Sequence, residues 1–127
     1  MRRLAVTLTA LSLLVSAGAT AATAGGGGAP PPFPRLGAQW SHAEINVRIR
    51  RVVHTMILDR GKIVQAAPTQ ITLRRPDGTI AVIPIDDQSL IVVDRLTATA
   101  TDLQRKMSAQ TMQIDGGAAV RVVAMSK

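Results

Sequence analysis

The chain contains no cysteine, no tyrosine, one tryptophan and one phenylalanine among its 127 residues. Without thiols there is no disulfide framework, no thiolate metal site, no thiol nucleophile and no cysteine to carry an N-terminal lipid. The fold must be held by its apolar core alone. The scarcity of aromatics removes the rings on which single-stranded nucleic acid stacks and against which sugars dock. Nucleic acid is therefore not the expected partner. His42 and His54 are the only imidazoles, and neither has a carboxylate or nucleophile at a recognisable sequence spacing. Each reads as a strand residue facing solvent. Asp86-Asp87 is the sole adjacent carboxylate pair; side chains of adjacent strand-end residues diverge, and the ligand ladder of a calcium loop is missing. No glycine-rich phosphate loop precedes a helix. No catalytic residue, metal site or cofactor is expected.

There is also no apolar run of the roughly 20 residues that a membrane-spanning helix needs. Leu4 to Ala17 is shorter and is interrupted by Thr7, Thr9, Ser12 and Ser16. It follows Arg2 and Arg3 and precedes the small-residue sites Ala19-Thr20-Ala21 and Ala22-Thr23-Ala24, the arrangement of a secretory signal peptide over residues 1–24 with cleavage near Ala21 or Ala24. The expected location is secreted or extracytoplasmic. Gly25 to Gly28 and the proline run Pro30-Pro31-Pro32-Phe33-Pro34 read as a flexible linker over residues 25–40, disordered to about Gly37.

The charge is one-sided. The formal net charge is +7; without Arg2 and Arg3, 13 basic residues stand against 8 acidic ones, a net +5. Arg35 to Lys62 holds six of the basic residues against Glu44 and Asp59. The candidate anion- or partner-binding residues are Arg48, Arg50 and Arg51, extended by Arg60 and Lys62.

What remains, residues 41–126, is one domain of short β-branched runs. Arg60 to Ile85 carries the clearest signal. Ile71 and Leu73 alternate with Thr72 and Arg74, and Thr79, Ile80, Val82, Ile83 and Ile85 form a second arm. Between them Pro76 fixes φ, Asp77 can bond its own backbone and Gly78 accepts a positive φ. Two periods compete in Ser41 to Leu58. As a helix, Ser41 and Glu44 make a capping box beneath an apolar stripe; as strands, Ile45, Val47 and Ile49 alternate with Glu44, Asn46, Arg48 and Arg50. The abundance of Ile, Val and Thr favours the hairpin. Leu90 to Val93 is a further strand, Thr101 with Gln104 caps a short helix over Asp102-Arg105, and Asp115-Gly116-Gly117 reverses a final pair, Met107 to Ile114 and Ala118 to Met125. Six to seven short strands with regular turns predict an all-β domain, an OB-like barrel or rolled antiparallel sheet.

The opening Gly61-Lys62-Ile63, the arm Thr69 to Arg74, the turn Asp77-Gly78-Thr79, Asp102-Leu103 and the terminal Asp-Gly-Gly reversal resemble a family of small extracytoplasmic bacterial domains of unknown function with an OB-like barrel. The likeness covers roughly Ala43 to Met125 and implies a fold, not an activity or a set of site residues. One position departs from it: Arg105-Lys106 stands in a tight turn that usually carries glycine. The resulting expectation is a non-enzymatic binding or structural module of the bacterial cell envelope, contacting an anionic polymer or an acidic protein through its basic patch. The alternative is an extracytoplasmic hydrolase or metal-dependent enzyme whose residues meet only in space.

Overall fold

A computed structural model describes residues 29–127. The leader read over residues 1–24 and the start of the linker lie outside this range. Among the described residues, eight strands and one 3₁₀ turn, Ala100–Asp102, make up the regular structure: β1 (His42–Ile49), β2 (Val52–Ala67), β3 (Gln70–Arg74), β4 (Ile80–Pro84), β5 (Leu90–Val93), β6 (Leu96–Ala98), β7 (Ser108–Ile114) and β8 (Ala119–Met125). The all-β class is as expected, and Ser41 to Leu58 is a hairpin. In it Ile49 pairs with Val52 and His42 with Asp59.

The barrel does not close. The strands run in the order β4-β3-β2-β7-β8-β5-β6, with β1 beside β2, so β4 and β6 are two separate ends. Nor is the sheet wholly antiparallel, because β5 lies parallel to β8. The cause sits in the Asp86-Ser89 turn, which leads the chain away from β4. There the Ser89 hydroxyl accepts from the Asp86 N–H and donates to the Ala119 carbonyl, tying the start of β5 to β8. The short helical turn also starts two residues earlier than expected. Asp102 takes the capping role, its carboxylate accepting from the Thr99 N–H and hydroxyl.

The central hairpin follows its sequence closely. Ile71, Leu73, Ala81, Ile83 and Ile85 are buried, while Gln70, Arg74, Ile80 and Val82 are exposed. Gly78 has φ 87°, its N–H bonds the Arg75 carbonyl, and Asp77 accepts from the Thr79 N–H at 2.9 Å.

Both faces of the sheet carry a core. On one, Ile63, Ile71, Leu73, Ile83, Leu103 and Val122 pack together. On the other, Met56, Leu58 and Met112 are covered by Phe33, Leu36 and Trp40. The stretch expected to be a loose tether therefore docks from its proline run onward: the Arg121 guanidinium donates to the Pro30 and Pro31 carbonyls, and that of Arg60 to Ala38. Three partly buried aromatic or aliphatic side chains, Phe33, Leu36 and Trp40, offset the ordering entropy that composition alone would set against the segment.

Candidate anion-binding cleft

Alternation along β2 puts Arg60 and Lys62 on the same face as Met56 and Leu58. The N-terminal segment covers that face only as far as Arg60. Beyond it the sheet is open, and a cleft of about 600 Å³ lies over β2, β3, β7 and β8. Its lining includes six cationic residues, Arg60, Lys62, Arg74, Arg75, Arg105 and Lys106, and no carboxylate.

Register shows how these residues meet. Met125 pairs with Ser108, Ser108 with Lys62, Lys62 with Arg74, and Arg74 with Ile80. One row thus crosses five strands, about 19 Å at the usual strand spacing. Like charges directly opposite each other on neighbouring strands repel, so Lys62 against Arg74 is an unfavourable pair in the free protein. Contact with the Lys127 side chain, then repulsion between the two ammoniums, holds the Lys62 pKa below its ordinary value. Among the described residues, ion pairs involve His42, His54 and Arg75 only. The charges of Lys62, Arg74, Arg105 and Lys106 are left without a carboxylate.

The rim is shaped by its backbone. Lys106 has φ 75°, the left-handed conformation expected of glycine at this turn. It is held there by reciprocal bonds across to β2, from the Lys106 N–H to the Ile63 carbonyl and from the Ile63 N–H to Met107. The Lys106 side chain adds a cation at the cleft mouth. Gly61, on the opposite face of β2, lets β3 approach closely, since a Cβ there would collide with the Arg74 carbonyl.

Arg75 alone has a buried partner. Its Nε donates to Asp59 Oδ1 at 2.7 Å, and His42 Nδ1 donates to the same oxygen at 2.9 Å. Asp59 is 1% exposed. Both histidines, expected to stand alone in solvent, in fact have carboxylates: His54 Nδ1 lies 2.6 Å from Asp115 Oδ2, and that contact together with the Thr55 N–H depresses the Asp115 pKa. Asp59 and Asp115 are 17 and 61 residues away in sequence, which is why spacing did not reveal them; Glu44, which His42 Nε2 meets at 3.4 Å, is only two residues along β1 and was visible there. The imidazole hydrogen bonds go to carboxylates and not to a hydroxyl nucleophile. Among the described residues no group of three His, Asp or Glu gathers as a metal site, and Asp86 is engaged with Gln88 and Ser89.

The five sequence-assigned cations do not form one patch. Arg60 and Lys62 line the cleft. Arg48, Arg50 and Arg51 sit at the far tip of the β1–β2 hairpin, with Arg51 about 30 Å from Arg60 along β2. Arg74, Arg75, Arg105 and Lys106 were missed, although each pair is visible as a basic dipeptide next to a turn.

Taken together, these observations describe an all-β domain with a basic, carboxylate-free cleft. Compared with known proteins, the chain matches no family model, no curated protein and no solved structure. Among the described residues no helix is long and apolar enough to cross a membrane.

Proposed function

We propose that the chain is a non-enzymatic binding module that takes an anionic ligand in the cleft over Lys62 and Arg74. The leader read in residues 1–24 would put that module outside the cytoplasm, where an anionic envelope polymer or an acidic protein is the partner class. One observation carries the reading: Lys62 faces Arg74 and contacts Lys127 with no carboxylate in the cleft lining. An anion seated there converts a repulsive row into an attractive one and forms charge-assisted hydrogen bonds with the guanidiniums.

The test is retention on heparin across a salt gradient, using two triple variants. Replacing Lys62, Arg74 and Arg105 by Gln should bring elution to clearly lower salt, because exposed charges bind polyanions in a salt-dependent way. Replacing Arg48, Arg50 and Arg51 by Gln probes the hairpin tip. Unchanged elution of the cleft variant rejects the cleft, and a loss confined to the tip variant moves the site there. The hydrolase alternative draws support from the His42–Asp59 and His54–Asp115 pairs, since a carboxylate-oriented imidazole is a general base in many enzymes. Turnover in a hydrolase screen that is abolished by His42→Gln or His54→Gln would establish it in place of the binding module.

A further inference from the structure

The cleft is not uniformly charged, and its apolar parts bear on what occupies it. On β8, Val123 pairs with Gln110 and Met125 with Ser108, so both valine and methionine lie on the cleft face beside the cations. Met125 is 43% exposed. Across the sheet, beyond Arg74, the outward side chains of β4 are Ile80 and Val82, 50% and 56% exposed. Cations occupy the middle of the row and apolar side chains both ends. A simple polyanion would leave those apolar flanks against water, and a sugar would look for aromatic rings that the lining lacks. The cleft volume of about 600 Å³ falls in the range of small-molecule sites and is far larger than one phosphate group.

Charge narrows the head group. Four cations without carboxylate partners surround the row, and a monoanion would leave most of them uncompensated. A phosphate monoester carries close to two negative charges at pH 7 and three acceptor oxygens, matching two guanidiniums and two ammoniums. Resting on the anion-binding reading above, we infer that the ligand is a phosphate monoester carried on an apolar chain. The head sits on Lys62 and Arg74, closed over by Arg105 and Lys106, and the chain lies along Val123 and Met125.

Calorimetric titration with four probes tests this: inorganic phosphate, glycerol phosphate, dodecyl phosphate below its micellar concentration, and the uncharged dodecyl maltoside. Dodecyl phosphate should bind at least about tenfold tighter than glycerol phosphate, since burying only two or three methylenes suffices for that factor. The maltoside should not bind. Met125→Gln with Val123→Thr, both partly exposed positions, should bring dodecyl phosphate down to the affinity of glycerol phosphate while leaving the latter unchanged. Lys62→Gln with Arg74→Gln should weaken every phosphate probe. Equal affinity for glycerol and dodecyl phosphates overturns this inference and leaves the anion-binding module standing. Failure of all phosphate probes likewise overturns this inference, while the anion-binding module stands or falls by heparin retention, and binding of the maltoside as tight as that of dodecyl phosphate overturns the phosphate head. Co-sedimentation with phosphatidylcholine vesicles containing phosphatidic acid then separates a ligand taken from a bilayer from one taken from solution; alongside monomer binding, either result supports the inference.

Discussion

A methyl group added at Gly61 would collide with the Arg74 carbonyl, whereas one added at Gly78 would meet nothing within 4 Å. The two glycines thus answer to different constraints, close approach at Gly61 and a φ of 87° at Gly78. Gly61→Ala should cost about 1–3 kcal/mol through displacement of β3, and because Arg74 moves with β3 it should also weaken anion binding. Gly78→Val should cost a similar roughly 1–3 kcal/mol through backbone strain alone and leave binding unchanged. Urea melts and heparin elution on the two variants separate these outcomes. The acid limb is also set by single residues. Asp77 is held below the ordinary carboxylate range by the Thr79 hydroxyl and N–H, Asp94 by the Ser126 hydroxyl and N–H, and Asp115 by His54 and the Thr55 N–H. A carboxyl whose pKa is lower folded than unfolded stabilises the fold above the unfolded value, near 3.9 for Asp, and that contribution is lost as pH falls through the folded one. The urea midpoint should therefore be flat from pH 7 to about 5 in respect of these groups and fall below about pH 4. In Asp94→Asn the fall should be shallower. Of these features, the turn role of Asp77 and Gly78 was legible because it is local. The burial of Asp59 was not, since nothing adjacent to it announces the Arg75 and His42 that make a buried carboxylate tolerable.

At the scale of elements, the β1–β2 hairpin was legible through strict alternation in Glu44 to Arg50, even though the same residues also write a helical stripe. What alternation could not show is that β2 continues for 16 residues and serves three partners, β1 and β3 on one edge in succession and β7 on the other. The ladder with β7 begins only at Met56, so the tip from Arg48 to Val53 projects as a two-stranded arm. Its reversal is made by Arg50 and Arg51 at φ 48° and 70°, a conformation for which Asn-Gly is the favoured pair. Arg50→Asn with Arg51→Gly should raise stability by about 1 kcal/mol, read as a shift in melting midpoint.

For the whole molecule, all-β architecture followed from the count and spacing of apolar runs, but barrel closure did not, because it depends on which strand β5 joins. The cleft was half legible. Its cations come as Arg60-Gly61-Lys62, Arg74-Arg75 and Arg105-Lys106, each visible in sequence, and only the register of β2, β3 and the turn before β7 brings them to one end of the sheet. Concentrated like charge destabilises the free protein. Lys62→Gln should therefore melt slightly higher than wild type in the absence of anion, and pyrophosphate should raise the melting midpoint of wild type but not of the variant. A thermal scan with and without pyrophosphate reads both effects.

The parallel pairing of β5 with β8 has a consequence for the order in which the molecule assembles. β5 and β6 form a hairpin whose sole further partner strand is β8, and Ser126 locks the two together through the Asp94 carboxylate. During synthesis that hairpin emerges well before Ala119–Met125, so it waits with Ile91 uncovered until the chain has grown some 30 residues further. Released fragments truncated near residue 115 should thus carry β1–β4 and β7 in native pairing, with the β5–β6 segment open to protease and to chaperones.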